Sequence, residues 1–139
     1  MKTKNKSSLK TYRIIQNTAQ KIDNYLSDKL SELPITLKQF EILLYVYEYK
    51  DNRIKVGDIA IAYEFNFATI TYIMGLLEKK GYLNREFSKE DRRCVYISMT
   101  KKGNKLIENH YDQYIENVSK FFKELKVTDL TTLNKILKT

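Results

Sequence analysis

The chain has 139 residues, 42% of them hydrophobic and 12% aromatic, which supplies enough apolar surface for one folded domain and excludes the disordered class. Its formal net charge of +8 favours an acidic partner, either nucleic acid or an anionic surface. A single cysteine permits no internal disulfide, and with a single histidine it assembles no ordinary zinc site, so neither metal nor cofactor is expected.

Residues 1–7 form a polar, basic stretch with no periodicity and are expected to be a mobile tail. Met1 to Lys10 carries four lysines with no apolar run behind it, so neither a signal peptide nor a membrane span is expected. The expected location is cytoplasmic. From Ser8 a long helix is predicted, because Leu9, Tyr12, Ile15, Ala19, Ile22, Leu26 and Leu30 recur at spacings of three and four. Pro34 ends it. Thr36 followed by Gln39 is a capping box, with Ile35 placed to staple onto Phe40, and Ile42, Leu43, Val46 and Tyr47 continue an apolar side up to Lys50-Asp51-Asn52. Ile54 stands alone in a short extended link. A third helix is read over Asp58 to Phe65, with Ile59, Ala60 and Tyr63 inward.

Asn66 is a good N-cap for a fourth helix, in which Ile70, Met74 and Leu77 recur at helical spacing, Lys79 and Lys80 fill the last turn and Gly81 stops the chain. The period then switches to two. Leu83, Arg85 and Phe87 alternate with polar residues, and so do Val95, Ile97 and Met99, so residues 82–99 read as a hairpin around the charged run Ser88 to Arg93. Two short helices before a third, followed by a charged hairpin, make a winged helix-turn-helix. Such a helix fits a major groove while the hairpin reaches neighbouring phosphates or the minor groove. The face turned away from the apolar stripe carries Phe67, Ala68, Thr69, Thr71 and Tyr72, which suit thymine methyls, base edges and phosphate oxygens. An ordinary solvated helix face is the plainer alternative for that helix taken alone.

After the hairpin, Thr100 is read as the cap of a helix running to about Lys126, along which Ile107, Tyr111, Tyr114, Val118, Phe121 and Leu125 follow a heptad pattern. Thr128 is read as the cap of a last helix through Leu130, Leu133 and Leu137. These apolar rows, with the first helix, have little core of their own to cover them. A second copy of the chain is the simplest partner. Charge is uneven: residues 34–99 hold 10 Lys/Arg against 9 Asp/Glu, so the basic groups there act by placement, with Lys79, Lys80, Arg85, Lys89, Arg92 and Arg93 late in the helix and in the wing.

Ile35-Thr36-x-x-Gln39, Asp58-Ile59-Ala60, Thr69-Ile70-Thr71, Leu77-Glu78-Lys79-Lys80-Gly81, Arg85, Asp91-Arg92-Arg93 and Thr100-x-x-Gly103 together resemble the multiple-antibiotic-resistance regulator (MarR) family over residues 8–139. The resemblance implies a mainly α fold with a small β-hairpin, in a bacterial homodimeric winged helix-turn-helix regulator of transcription, expected to be a repressor. It implies a single MarR-like domain at 8–139, with residues 8–33 and 101–139 as dimerisation helices and 35–99 as the winged helix-turn-helix. The implied partner is double-stranded DNA bearing a pseudo-palindromic operator. A cleft between the dimer region and the reading head is implied to take small anionic or phenolic ligands. Base reading is carried onto Ala68, Thr69 and Thr71, with Asn66 and Phe67 at the helix entry. Arg93 falls where a minor-groove wing arginine lies, and Asp91 where a carboxylate braces the wing. Arg85, Lys89, Arg92 and Tyr72 complete the expected DNA-binding set, and Tyr12, Ile15, Tyr111, Tyr114, Val118 and Phe121 the dimerisation set. Tyr72 and Leu76 stand where the family often has phosphate-gripping arginines, Lys55 where a small cap is usual and Glu64 where glycine is frequent.

Other chemistry has less support. The glycines Gly57, Gly75, Gly81 and Gly103 are scattered rather than gathered in a phosphate loop, and the carboxylates mostly neighbour lysines, so no enzyme is expected. Cys94 lies beside two arginines; an inert thiol is the first expectation and an oxidant sensor the second. Tyr12, Tyr45, Tyr47, Tyr111 and Tyr114 are read as core packing before cavity lining. A winged-helix protein-interaction module without DNA binding is the second hypothesis, because Phe67, Tyr72 and Leu76 offer apolar anchors on the reading face. No membrane association is expected.

Overall fold

The computed structural model describes residues 1–138 and folds them into two compact units, one of residues 30–111 and one joining residues 1–29 to the chain from Asp112 onward. One boundary between the units falls inside a helix. Among the described residues, six helices and a three-stranded antiparallel sheet make up the architecture.

The unit of residues 30–111 opens on α2 (Leu37–Glu48), whose start is the predicted capping box: the Gln39 backbone N–H donates to Thr36 Oγ1 at 3.2 Å and the Thr36 N–H to Gln39 Oε1 at 3.1 Å. Strand β1 (Ile54–Lys55) leads directly into α3 (Val56–Tyr63), and α4 (Phe67–Lys79) follows across a tight turn. The hairpin is β2 (Leu83–Phe87) with β3 (Val95–Met99), paired so that Arg85 faces Ile97. Ile54 was expected as an isolated link residue but pairs with Ile97, making β1 a third strand on the far edge of β3. Two residues are too few for alternation to show. The helix after it, α3, also starts two residues earlier than predicted, since the Asp58 carboxylate accepts the Lys55 N–H at 3.0 Å and caps the helix from inside its first turn. Phe40, Ile42, Leu43, Ile59, Ile70, Met74, Leu77, Leu83 and Ile107 are fully buried and form the core.

Two helix ends in this unit have the same geometry with different residues. At the end of α4 the Tyr82 N–H donates to Leu77 O and the Gly81 N–H to Glu78 O, both at 2.9 Å, with Gly81 at φ 84. At the end of α3 the Phe65 N–H donates to Ala60 O and the Glu64 N–H to Ile61 O, with Glu64 at φ 51. Glu64 therefore holds a left-handed backbone that a Cβ disfavours by about 1 kcal/mol. The following junction is tight. Thr100 Oγ1 donates to Gly81 O at 2.6 Å and accepts the Gly103 N–H at 3.0 Å, opening α5 (Lys101–Phe121). A Cβ on Gly103 would collide with Tyr82 O, which explains Thr100-x-x-Gly103 as one device.

The other unit holds α1 (Lys2–Lys29), the end of α5 and α6 (Val127–Leu137). Residues 2–7, expected as part of a mobile tail, are the first turns of α1: they contain no Gly or Pro, and their polarity leaves no apolar period to mark the helix. The α5 helix stops at Phe121 instead of about Lys126, and α6 is capped by the Asp129 carboxylate accepting the Lys126 N–H at 2.9 Å, so Thr128 lies inside the helix. Tyr25 and Phe121 meet at 5.7 Å between ring centroids, while Leu26, Tyr114 and Asn117 are buried. Every residue from Met1 to Asn17 is exposed, including Leu9, Tyr12, Ile14 and Ile15, and so are Ile115, Leu133, Ile136 and Leu137. No described helix is long and apolar enough to cross a membrane.

Replacing Glu64 by Gly should raise stability by about 0.5–1 kcal/mol in urea unfolding, whereas Gly103→Ala should cost about 2 kcal/mol through the clash with Tyr82 O. Equal effects of the two changes would contradict the assigned geometry. Tyr63 donates its hydroxyl to Glu41 O at 3.1 Å, and burial, with Glu41 and Glu48 nearby, pushes its pKa up from 10.0 to about 12. A pKa raised by folding adds stability that is complete below pH 10.0 and disappears as pH rises through about 12. Tyr63→Phe should flatten that alkaline loss in pH-dependent melting, and an unchanged profile would place the loss elsewhere.

Candidate nucleic-acid interface

Ile70, Met74 and Leu77 are fully buried and Ile73 nearly so, which fixes the rotation of α4 about its axis. The opposite side is bare. Asn66, Phe67, Ala68, Thr69 and Tyr72 are exposed, Phe67 at 54% and Tyr72 at 69%, and Thr71 is half-buried. Asn66 Oδ1 accepts the Ala68 N–H at 2.7 Å, so Asn66 caps the helix while its amide NH2 is left for a ligand. Thr71 spends its hydroxyl proton on Phe67 O at 2.9 Å and retains acceptor lone pairs. Thr69 makes no hydrogen bond among the described residues through its side chain and is the freer of the two hydroxyls.

The wing loop, residues 88–94, is tied by its own side chains. Ser88 Oγ accepts the N–H groups of Glu90 and Asp91, and the Cys94 N–H donates to Asp91 O. Asp91 Oδ1 accepts both the Arg93 backbone N–H at 3.0 Å and Arg93 Nε at 3.1 Å. These two bonds hold the Asp91 carboxyl below its ordinary pKa. The Arg93 side chain is 92% exposed and leaves the loop in a direction set by that carboxylate. Lys89 and Arg92 are also exposed. Asp91 and Arg93 thus meet as bracing carboxylate and projecting cation.

Arg85 is engaged within the chain. Its guanidinium pairs with Glu78 Oε1 through Nη2 at 3.1 Å and Nε at 3.3 Å, while its backbone N–H donates to Glu78 Oε2 at 3.1 Å. Glu78 sits on α4 and Arg85 on β2, so the pair ties the wing to the helix. Phe87, which alternation placed on the side of Leu83, is 60% exposed because β2 extends past the core there. Residues that periodicity did not single out add further clamps. Lys80 Nζ donates to Pro34 O at 2.9 Å, Lys102 Nζ to Lys80 O at 2.7 Å, and the Arg53 guanidinium lies 3.7 Å from the Tyr96 ring centroid. Cys94 Sγ points to Asp91 Oδ2 at 3.9 Å.

The tyrosines pack on one another: Tyr45 on Tyr49 and Tyr63, and Tyr47 on Tyr111. A cavity of about 430 Å3 in the 30–111 unit is lined instead by Lys50, Arg53, Glu86, Tyr96, Ser98 and Asn104. Of the expected dimerisation residues, Tyr12 and Ile15 are exposed, Tyr111, Val118 and Phe121 are half-buried, and Tyr114 is buried within its own chain. The heptad seam of α5 is therefore partly internal core.

A three-helix head with a buried stripe on one side of its last helix, a bare polar side opposite and a braced arginine wing defines the winged helix-turn-helix class of transcription regulators. The model of the SarA/Rot transcriptional regulators matches residues 24–110, and the chain belongs to that family. It is 28% identical to the HTH-type transcriptional regulator YhbI of Bacillus subtilis over 96% of this chain and 88% of that protein. It is 22% identical to the HTH-type transcriptional repressor YetL of the same organism, over 81% of this chain and 67% of YetL. A MarR mutant from E. coli in complex with operator DNA superposes with a TM-score of 0.83 at 25% identity, covering 95% of this chain and 94% of that one. The MarR likeness read from the motifs and the winged-helix fold are both borne out.

Glu78→Gln should cost about 1 kcal/mol of stability, a modest figure because the pair is partly solvated, and should broaden amide resonances of β2 and the wing loop. Unchanged spectra would show that Arg85 does not need Glu78 to stay in place.

Proposed function

We propose that the chain is a two-fold homodimer that binds a pseudo-palindromic site in duplex DNA and represses transcription. Each copy lays α4 in a major groove and reaches the adjacent minor groove with its wing. The observation that carries the reading is the two-sidedness of α4: a fully buried row at Ile70, Met74 and Leu77 turns Ala68, Thr69 and Tyr72 outward, beside a wing whose Arg93 is 92% exposed and oriented by Asp91. Thr69 and Ala68 suit base edges and thymine methyls, and Arg92 and Arg93 suit a narrow, negative minor groove.

Dimerisation is supported by α1. A helical segment of 16 residues with no covering side chains is marginal in water, yet Lys2 to Asn17 is wholly exposed and carries Leu9, Tyr12 and Ile15. A second copy covers that face together with Leu133, Ile136 and Leu137 of α6. Two reading heads then require half-sites about 34–36 Å apart. Repression follows from steric occupation of a promoter, and it agrees with YetL being a transcriptional repressor and with the operator-bound state of the MarR structure.

Arg93→Ala should weaken binding to the natural promoter by roughly 1–3 kcal/mol in fluorescence anisotropy and lower the steepness of its salt dependence. Affinity unaffected by that change would remove the wing from the interface. Ile15→Asp combined with Leu133→Asp, both at exposed positions, should yield folded monomers by light scattering with much weaker DNA binding; dimers of unchanged mass would place the interface elsewhere.

A further inference from the structure

Residues 1–22 contain Lys2, Lys4, Lys6, Lys10, Arg13 and Lys21 and not one Asp or Glu. On α1, Lys2, Lys6, Lys10 and Arg13 follow at spacings of four, four and three and so share one side of the helix, next to the exposed Leu9. All four are exposed. On α5, Glu108, Asp112 and Glu116 follow at spacings of four and form an acidic row, also exposed, beside Ile115, which is itself exposed. Among the described residues, none of Lys2, Lys6, Lys10, Arg13, Glu108 and Asp112 has an ion-pair partner in its own chain, and Glu116 has only the solvated Lys120 at 3.4 Å.

The two rows match in length as well as in sign. Lys6 to Arg13 spans about 10 Å along the helix and Glu108 to Glu116 about 12 Å. Each has an apolar side chain at its edge. Cations in the first turns of a helix also oppose its macrodipole, so α1 gains when carboxylates lie alongside.

We propose that the basic row of α1 seats along the acidic row of α5 of a second copy, and that this pairing sets the register and orientation of the dimer. The proposal rests on the dimer reading above and adds to it a charge code. Two-fold symmetry makes the contact twice, so each dimer contains two basic-to-acidic alignments. The apolar residues supply most of the association, and the charges steer encounter and penalise other registers.

Charge exchange tests the proposal in full-length protein by sedimentation velocity over a NaCl series. One variant carries Lys6→Glu, Lys10→Glu and Arg13→Glu; the other carries Glu108→Lys, Asp112→Lys and Glu116→Lys. Each alone should dimerise at least about tenfold more weakly than the parent chain, because like charges then face each other. Mixed in equal amounts, the two should recover parental affinity as a heterodimer, since both alignments regain opposite signs, and that recovery should fade as salt rises. Unimpaired homodimers of both variants, or no preference for the mixed pair, would overturn the charge code while leaving the apolar dimer intact. A parent chain that stays monomeric would instead remove the dimer reading itself. Dimers of normal affinity with weakened DNA binding in the Lys6/Lys10/Arg13 variant would assign the basic row to phosphates and also overturn the proposal.

Discussion

The burial of one row of α4 is the constraint on which the reading head depends. Ile70, Met74 and Leu77 are removed completely from solvent, and truncating any of them would cost about 2–5 kcal/mol, so the helix cannot rotate to hide its other face. That other face carries Ala68, Thr69 and Tyr72. Core packing therefore decides which side chains of α4 are exposed.

A second set of interactions fixes what surrounds the helix. Glu78 clamps β2 through both the backbone N–H and the guanidinium of Arg85, and Thr100 joins the end of α4 to the start of α5 through Gly81 O and the Gly103 N–H. Lys80 reaches back to Pro34 O at the start of α2. The wing consequently pivots on a rigid base, while its loop is shaped locally by Ser88 and Asp91. This positioning is done by charged and hydroxyl side chains through bonds within the chain. Arg93, braced by Asp91, is left 92% exposed.

Much of this is legible in the chain itself, for a physical reason. Helical spacing at Ile70, Met74 and Leu77, the Thr36 and Gln39 box and the Gly81 stop are local signals, and each is realised. What escaped notice depends on contacts across the fold. Arg85 reads as a wing cation until Glu78 is brought beside it, and Ile54 reads as a link residue until β3 lies next to it. Tyr114 falls in a heptad row that looks outward, yet it is buried in its own chain. The polar start of α1 has no apolar period to betray it, and α5 ends at Phe121 with no Gly or Pro to announce the stop. Glu64 holds a conformation usually given to glycine, so the turn between the two helices of the motif forms against local preference.

The account's central claim is that two copies present α4 and the wing to one side of a duplex. Hydroxyl-radical footprinting on the natural promoter tests it directly. The expected pattern is two protected patches on the same face, about one helical turn apart, with minor-groove protection flanking each. A single patch, or two patches on opposite faces of the duplex, would contradict it.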